Sequence, residues 1–385
     1  MSRYIKVDFP KKSNFASIIF LVFFIMGHSF AAVLPMAFQK PYLYSIFSCY
    51  LLLGVYLLVT NIPKNVTKPV IFGSIFFVLG GANLLIHGAT QTFNLVCPFA
   101  AILAYILIQK KGINVNLFNW VLILLYLFYY YVYYSILPDL FFRPFFDEDG
   151  AVFDMSSSNA IPISLNNTLY AYMIMNKYYE ESNKGKIVCF SIINLVLILI
   201  QQSRAGILVA VVLCALALFE YSKKYFFTAS IAVLLVSLVY IKEIVFFTEI
   251  LGDINGIEAY EKDSRGEAQA QFFQNMDPFT FVFGHTEKDY SDAGFGYTYN
   301  VFLDMWDRYG VLGFGTFWGV FILRVLKRNK FQFPLYYFLP FMLYSMVESI
   351  YLPNFWDIMI YLLLFTPKLR TLTPQPQRKI QNVLS

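Results

Sequence analysis

Apolar runs close to the length of a bilayer-spanning helix recur along almost the whole of this 385-residue chain. A helix needs about 20 apolar residues to cross the hydrocarbon core of a membrane. Composition agrees with that reading, at 58% hydrophobic and only 14% charged residues, against about 25% charged in a soluble domain. The 42 Phe and 29 Tyr suit a lipid-facing surface with aromatic belts at its interfaces. The expected fold class is all-α: a polytopic integral membrane protein of about twelve helices with one large outward loop.

On the bilayer scale, spans fall near 14–38, 41–60, 69–87, 90–108, 115–137, 160–178, 186–202, 204–221, 224–242, 299–323, 331–348 and 354–368. The first follows Arg3, Lys6, Lys11 and Lys12. Its apolar run exceeds the about 7–15 residues of a signal-peptide core, so it reads as a retained anchor. The sixth carries Asn166, Asn167 and Thr168 and is tested by the positive-inside rule. With twelve spans and a cytoplasmic N-terminus, 21 of the 29 Lys and Arg fall on the cytoplasmic side. Without the sixth span the split becomes 14 against 15. Residues 187–219 are almost unbroken apolar, and one helix of that length would run about 50 Å. Gln201-Gln202-Ser203-Arg204 with Gly206 is therefore expected to turn between two spans, on the outer face.

The organisation that follows is nine transmembrane helices over 1–242, a large outward loop at 243–298, three more helices over 299–368 and a cytoplasmic tail at 369–385. Only Asp8, Glu180, Glu181 and Glu220 of the 24 acidic residues fall on the cytoplasmic side. Within the loop, Ser264-Arg265-Gly266-Glu267 reads as a capping box opening a short helix. Asp277-Pro278 is expected to stop that helix. The loop is expected to lie as a helical lid over the membrane.

Four outward arginines are candidates for anion binding. Arg204 sits at a hairpin that does not itself demand a guanidinium; the alternative is an interfacial anchor that snorkels. Arg265 opens a helix whose dipole prefers acids there, so a partner elsewhere or a bound anion is expected. Arg308 lies in the tenth span, with Asp304 four residues earlier on the same face. A charge at mid-bilayer costs about 2.5–3.5 kcal/mol on insertion scales, so this pair either lines a cavity or forms a structural ion pair. Arg143, in the acidic run to Asp149, also fits a plain loop salt bridge. Arginines converging on one outer cavity would suit a pyrophosphate, whose oxygens the planar fork binds bidentately.

Other signals are weaker. His285 after Phe283-Gly284 fits either a general base or a solvated loop histidine. Glu348 and Asp357 flank the outer turn before the last span and either bind sugar hydroxyls or face water. Tyr129 to Tyr134 reads as an interfacial belt, with sugar stacking as the alternative. Cys49, Cys97, Cys189 and Cys214 lie in apolar stretches, share no ligand spacing and read as core fillers. No metal site, cofactor motif or nucleic-acid patch is present in the sequence.

Gln202-Ser203-Arg204-Ala205-Gly206 opening an apolar helix resembles the Ser-Arg-Gly/Ala element of the O-antigen polymerase and O-antigen ligase superfamily. The family's next features are a large periplasmic loop with an early arginine, a Phe-Gly step and an Asn-containing helix start followed by Gly-x-x-Gly. They resemble Arg265, Phe283-Gly284-His285, Tyr299-Asn300 and Gly310-Val311-Leu312-Gly313 here. Ligases of the superfamily keep a histidine where this chain has Tyr299, so polymerase is the better fit.

The resemblance implies a metal-independent, cofactor-free, inverting glycosyltransferase of the bacterial inner membrane, with both termini cytoplasmic. Its substrates would be glycans linked to undecaprenyl pyrophosphate, with membrane lipid and a chain-length-regulating membrane protein as further partners. Arg204, Arg265 and Arg308 would hold the diphosphate, with Arg143, Tyr299 and Asn300 as further substrate contacts. Asp304, His285 or Asp263 would accept the sugar-hydroxyl proton. A ligase acting on lipid A-core and a flippase for the same lipid-linked sugar are the rival readings. The absence of an internal repeat and the long loop argue against the flippase.

Overall fold

The computed structural model describes residues 14–19, 66–87, 92–140, 151–153, 156–157, 160–179, 183–200, 204–239, 264–284, 300–347 and 357–367, with single positions between 21 and 52. Among the described residues the chain is mostly helical. The helices are α1 Asn14–Ile19, α2 Thr67–His87, α3 Thr92–Lys111, α4 Val115–Leu140, α5 Ala160–Tyr178, α6 Lys184–Ile200 and α7 Arg204–Tyr221. They continue with α8 Lys223–Val239, α9 Ser264–Gln274, α10 Pro278–Phe283, α11 Val301–Leu326, α12 Leu339–Val347 and α13 Asp357–Phe365. Beyond the all-α expectation, β1 Ala151–Phe153 and β2 Ser156–Ser157 pair as a small antiparallel ribbon. Two helices, Thr67–Ile86 and Val301–Leu326, are long and apolar enough to cross a membrane by length and composition. The expected span at 41–60, most of 14–38, loop segments 243–263 and 285–299, and the tail 369–385 lie outside the described residues.

The interior is largely apolar, with a set of buried polar side chains held within it. Helix α5, the most polar expected span, is the most enclosed: Asn166, Asn167 and Thr168 are all buried. Asn166 Nδ2 donates to the Gly206 carbonyl of α7 at 2.9 Å and to the Tyr344 hydroxyl of α12 at 2.6 Å. Asn166 Oδ1 accepts from Asn194 Nδ2 of α6 at 2.7 Å. Tyr344 in turn donates to the Pro162 carbonyl at 3.3 Å. One amide thus ties α5 to three neighbouring helices.

Outward faces are apolar as well. Ile71, Val78 and Leu85 of α2, Trp120, Leu124 and Leu127 of α4, and Ile192, Val196 and Leu199 of α6 are all exposed. Their spacing of three, four and seven residues marks single helix faces. Exposed apolar surface on this scale marks a face that meets something other than water.

One end of the bundle gathers several turns. The Ile113 N–H between α3 and α4 donates to the Tyr179 hydroxyl at 2.7 Å, and the Asn114 N–H donates to Ser17 Oγ at 2.6 Å. Burial pushes the Tyr179 phenol above the ordinary tyrosine value. At the ends of α5 and α7, Lys177 Nζ pairs with Glu220 Oε2 at 3.0 Å. Gln332 Nε2 donates to the Lys177 carbonyl at 3.2 Å. Arg324, one residue beyond the end expected for the tenth span, is fully buried. Its Nε donates to the Leu363 carbonyl at 3.2 Å, its Nη2 donates to the Phe333 carbonyl, and its guanidinium lies 4.0 Å from the Phe331 ring centroid. A cation against the last-turn carbonyls of α13 is the favourable end of that helix's dipole.

Replacing Asn166 by Leu leaves the Gly206 carbonyl and the Asn194 and Tyr344 groups without this partner, so a loss of about 1–3 kcal/mol is expected. The measurement is the unfolding midpoint of the detergent-purified chain. A midpoint equal to that of the unmodified protein would show that the amide does not anchor α5.

Candidate functional site

The carboxyl-terminal part of the described loop is built by its own capping chemistry. Asp277 Oδ1 accepts from the Thr280 N–H at 2.7 Å, and Thr280 Oγ1 accepts from the Asp277 N–H at 2.7 Å. Pro278 occupies the first turn of α10, where a missing N–H costs nothing. Asp277-Pro278 therefore not only follows the end of α9 at Gln274 but opens a second helix. Helix α10 ends at Gly284, whose φ of 87° lies in the region that favours glycine.

Asn300 opens α11, its Oδ1 accepting from the Phe302 N–H at 3.0 Å and the Leu303 N–H at 3.3 Å. The side chain expected to touch substrate serves here as a helix cap. The helix expected over 299–323 is present as α11, and it carries a kink at Gly310, with φ 63° and ψ −174°. The cause is α10, which docks against the break. A Cβ at Gly310 would stand 1.8 Å from the Val282 carbonyl oxygen, and one at Gly284 would stand 1.6 Å from that of Asp307. Trp306 Nε1 donates to the Phe281 carbonyl at 2.9 Å, and Asn83 Nδ2 of α2 donates to the Phe283 carbonyl at 3.4 Å. The rings of Phe272 and Phe281 meet Trp306 edge-on. The two loop helices are thus seated on the broken segment.

Charged groups collect beside the break. Asp304 is buried at 3% exposure, and Arg308, one turn later, is half-buried. Asp357, expected near an outer turn in contact with water or sugar, is buried at the start of α13. Cys97 of α3 and Tyr309 both lie within the fields of Arg308 and Asp357. Tyr361, one turn into α13, also lies within the field of Asp357. The Tyr309 ring packs edge-on against Phe76 of α2 at 5.0 Å. The Tyr361 hydroxyl approaches Gly73 so closely that a Cβ there would stand 2.5 Å away. Three helices, α3, α11 and α13, thereby bring a guanidinium, a carboxylate, two phenols and a thiol into one neighbourhood against α2, and Asp304 adds a second carboxylate on α11. A half-buried guanidinium is suited to an anionic ligand, and a buried carboxylate to accepting a proton.

The remaining expected site residues are distributed as follows. Arg204 is the first residue of α7, two before the Gly206 carbonyl held by Asn166, and Arg265 lies in the first turn of α9. The side chains of these two arginines, and the whole of Arg143, Asp263, His285 and Tyr299, lie outside the described residues. Of the cysteines expected as core fillers, Cys97 is buried whereas Cys189 is exposed.

Sequence reasoning missed the break, the second loop helix and the buried setting of Asp357. The available signals were Asp277-Pro278-Phe279-Thr280, a capping sequence in its own right, and a glycine at each of the two positions that touch. No family model matches the chain, and no curated protein matches it.

Gly310→Ala is expected to dislodge α10, since a Cβ meets backbone there and the left-handed φ adds about 1–2 kcal/mol. The readout is limited proteolysis of the segment 264–284, with several-fold faster cleavage expected. Gly315→Ala, where the added Cβ meets nothing within 4 Å, serves as the control. Equal cleavage of both variants would show that the break does not hold the loop.

Proposed function

We propose that this chain is a twelve-span inner-membrane polymerase that joins oligosaccharide repeat units carried on undecaprenyl pyrophosphate, as in O-antigen assembly. The observation that carries the reading is the docking of loop helix α10 onto the break in α11, beside Arg308 and Asp304. An outward loop seated on a charged site within an apolar bundle fits an enzyme whose reaction takes place at the membrane surface.

The membrane part of the reading is supported by the exposed Ile, Leu and Trp on the outward faces of α2, α4 and α6 and by the two helices long and apolar enough to cross a membrane. The alternation of spans is supported by the company the turns keep. Ser17, Asn114, Lys177, Tyr179 and Glu220, all assigned by the charge count to the cytoplasmic side or its helix ends, belong to contacts between neighbouring turns. The loop helices meet α11 close to its start, on the side assigned outward. Glu348 and the segment 349–356 lie outside the described residues.

In the proposed reaction a hydroxyl of the lipid-linked repeat unit attacks the anomeric carbon of the growing glycan. A new C–O bond forms as the bond to the diphosphate breaks, and undecaprenyl pyrophosphate leaves with the electron pair. Arg308, with Arg204 and Arg265, holds the diphosphate and offsets the charge that develops on it. Asp304 accepts the hydroxyl proton, with His285 and Asp263 as the loop alternatives. The second reading, a flippase for the same lipid-linked sugar, draws on the broken helix, since discontinuous spans mark transporter sites.

Lipopolysaccharide from cells lacking the protein separates these readings. Core bearing one repeat unit and no ladder is expected; core alone would mean ligase or flippase instead. Arg308→Lys in the restored strain is expected to reduce the ladder at least tenfold, because an ammonium cannot reproduce the planar fork. A full ladder from Arg204→Lys, Arg265→Lys and Arg308→Lys alike would sink the diphosphate clamp.

A further inference from the structure

We propose that loop helix α10 is inserted into the acyl region of the membrane leaflet on the loop's side, with its phenylalanines against lipid. Residues 278–283 read Pro-Phe-Thr-Phe-Val-Phe and carry no charge. Phe279, Phe281, Val282 and Phe283 are all exposed, as is Phe273 near the end of α9. The rings of Phe279 and Phe283, one turn apart, pack on each other at 5.0 Å. The residues leading into the helix are polar instead: Gln274, Asn275 and Asp277 are exposed. Large apolar side chains clustered in this way mark a face that meets something other than water.

Depth identifies what covers it. The apolar stretch of α2, Thr67–Ile86, has 20 residues, which match a hydrocarbon core of about 30 Å with none to spare. Asn83, which donates to the Phe283 carbonyl, lies three residues inside that stretch, or about 4–5 Å below its end. Helix α11 gives the same answer independently. Its stretch Val301–Leu326 has 26 residues, six more than the about 20 a core requires. Gly310, against the Val282 carbonyl, is nine residues beyond Val301. Even with the whole surplus on the loop's side, Gly310 therefore lies about 4–5 Å within the core. Leu85 and Ile86, just after Asn83, and Leu312, just after Gly310, are exposed. The spans thus turn apolar residues outward next to both points where α10 touches them.

The backbone of α10 is equipped for that depth. A helix leaves its last four carbonyls without intrahelical partners, and in hydrocarbon there is no water to satisfy them. The Thr280 carbonyl accepts from the Gly284 N–H at 2.8 Å. The Phe281 carbonyl accepts from Trp306 Nε1 at 2.9 Å and that of Phe283 from Asn83 Nδ2 at 3.4 Å. Two spans thus supply the side-chain donors that water would supply to a loop outside the membrane. The inference rests on the membrane part of the proposed function and not on its chemistry.

The test is photocrosslinking of the full chain in vesicles of phosphatidylethanolamine and phosphatidylglycerol, read by mass spectrometry. p-Benzoylphenylalanine replaces Phe279, Phe283, Asn275 or Val78, one position at a time. Val78, exposed in the middle of α2, reports the lipid contact of a span. Asn275, exposed just beyond α9, reports the water side. Phospholipid adducts at 279 and 283 are expected within threefold of the yield at 78 and at least tenfold above that at 275. Adducts at 279 and 283 to segments 243–263 or 285–299, or to a second copy of the chain, in place of lipid would overturn the insertion, because protein then covers the face. Lipid yields at 279 and 283 no higher than at 275, with lipid captured at 78, would overturn it too and leave the membrane reading standing. Absence of lipid adducts at 78 as well would remove the membrane reading, and the insertion with it.

Discussion

The Asn166 side chain fixes the arrangement of the helices around it. A primary amide buried in an apolar bundle costs several kcal/mol unless its donors and acceptor are paired. Asn166 meets that demand with a backbone carbonyl, a phenol and a second amide drawn from three other helices. The carbonyl is the most restrictive partner, because a side-chain amide reaches it only where the two helices approach closely. That carbonyl belongs to Gly206, at the start of α7. The backbone of Arg204, two residues earlier, is fixed by the same contact. Packing in the bundle centre thus sets where one of the candidate anion ligands begins.

The outer assembly rests on a different constraint, the steric interlock of two backbones. Gly284 ends α10 and Gly310 breaks α11, and each lies against a carbonyl of the opposite segment. Neither backbone can approach so closely with a Cβ in place. Trp306 then secures the contact with one hydrogen bond and two ring contacts. The break has a cost, since the helical ladder is interrupted at Gly310, but it brings the loop to rest against the segment that carries Asp304 and Arg308. Loop position and site geometry are therefore one structural problem.

Much of the helix layout was legible in the chain. The span expected at 160–178 coincides with α5, although Asn166, Asn167 and Thr168 made it look unsuited to lipid. Those residues meet other helices rather than lipid, and the charge count kept the span because it is sensitive to the number of crossings and not to local polarity. The division between α6, ending at Ile200, and α7, starting at Arg204, was legible from length, since one helix across 187–219 would overshoot a bilayer. The break at Gly310 was not, because its cause lies in α10, 26 residues away in sequence at Gly284. A glycine in an apolar stretch carries no local mark of a left-handed φ. The burial of Arg324 was not legible for the same reason: its partners, the carbonyls of Phe333 and Leu363, are defined only by the fold.

Helix α11 carries an arginine towards each end, and their environments argue for different roles. Arg324 is enclosed, donates to two carbonyls and lies over the rings of Phe331 and Phe338. Those contacts tie the end of α11 to the turn before α12 and to the last turn of α13, so its charge is spent within the protein. Arg308 is half-buried beside a helix break, under a docked loop and within reach of the same neighbourhood as Asp357. A guanidinium placed to brace helices is surrounded by carbonyls and aromatic faces; one placed to receive an anion keeps an open side. By that criterion Arg324 is a bracing residue, whose substitution should be read in stability, whereas a role for Arg308 towards an anion belongs to the proposed function alone.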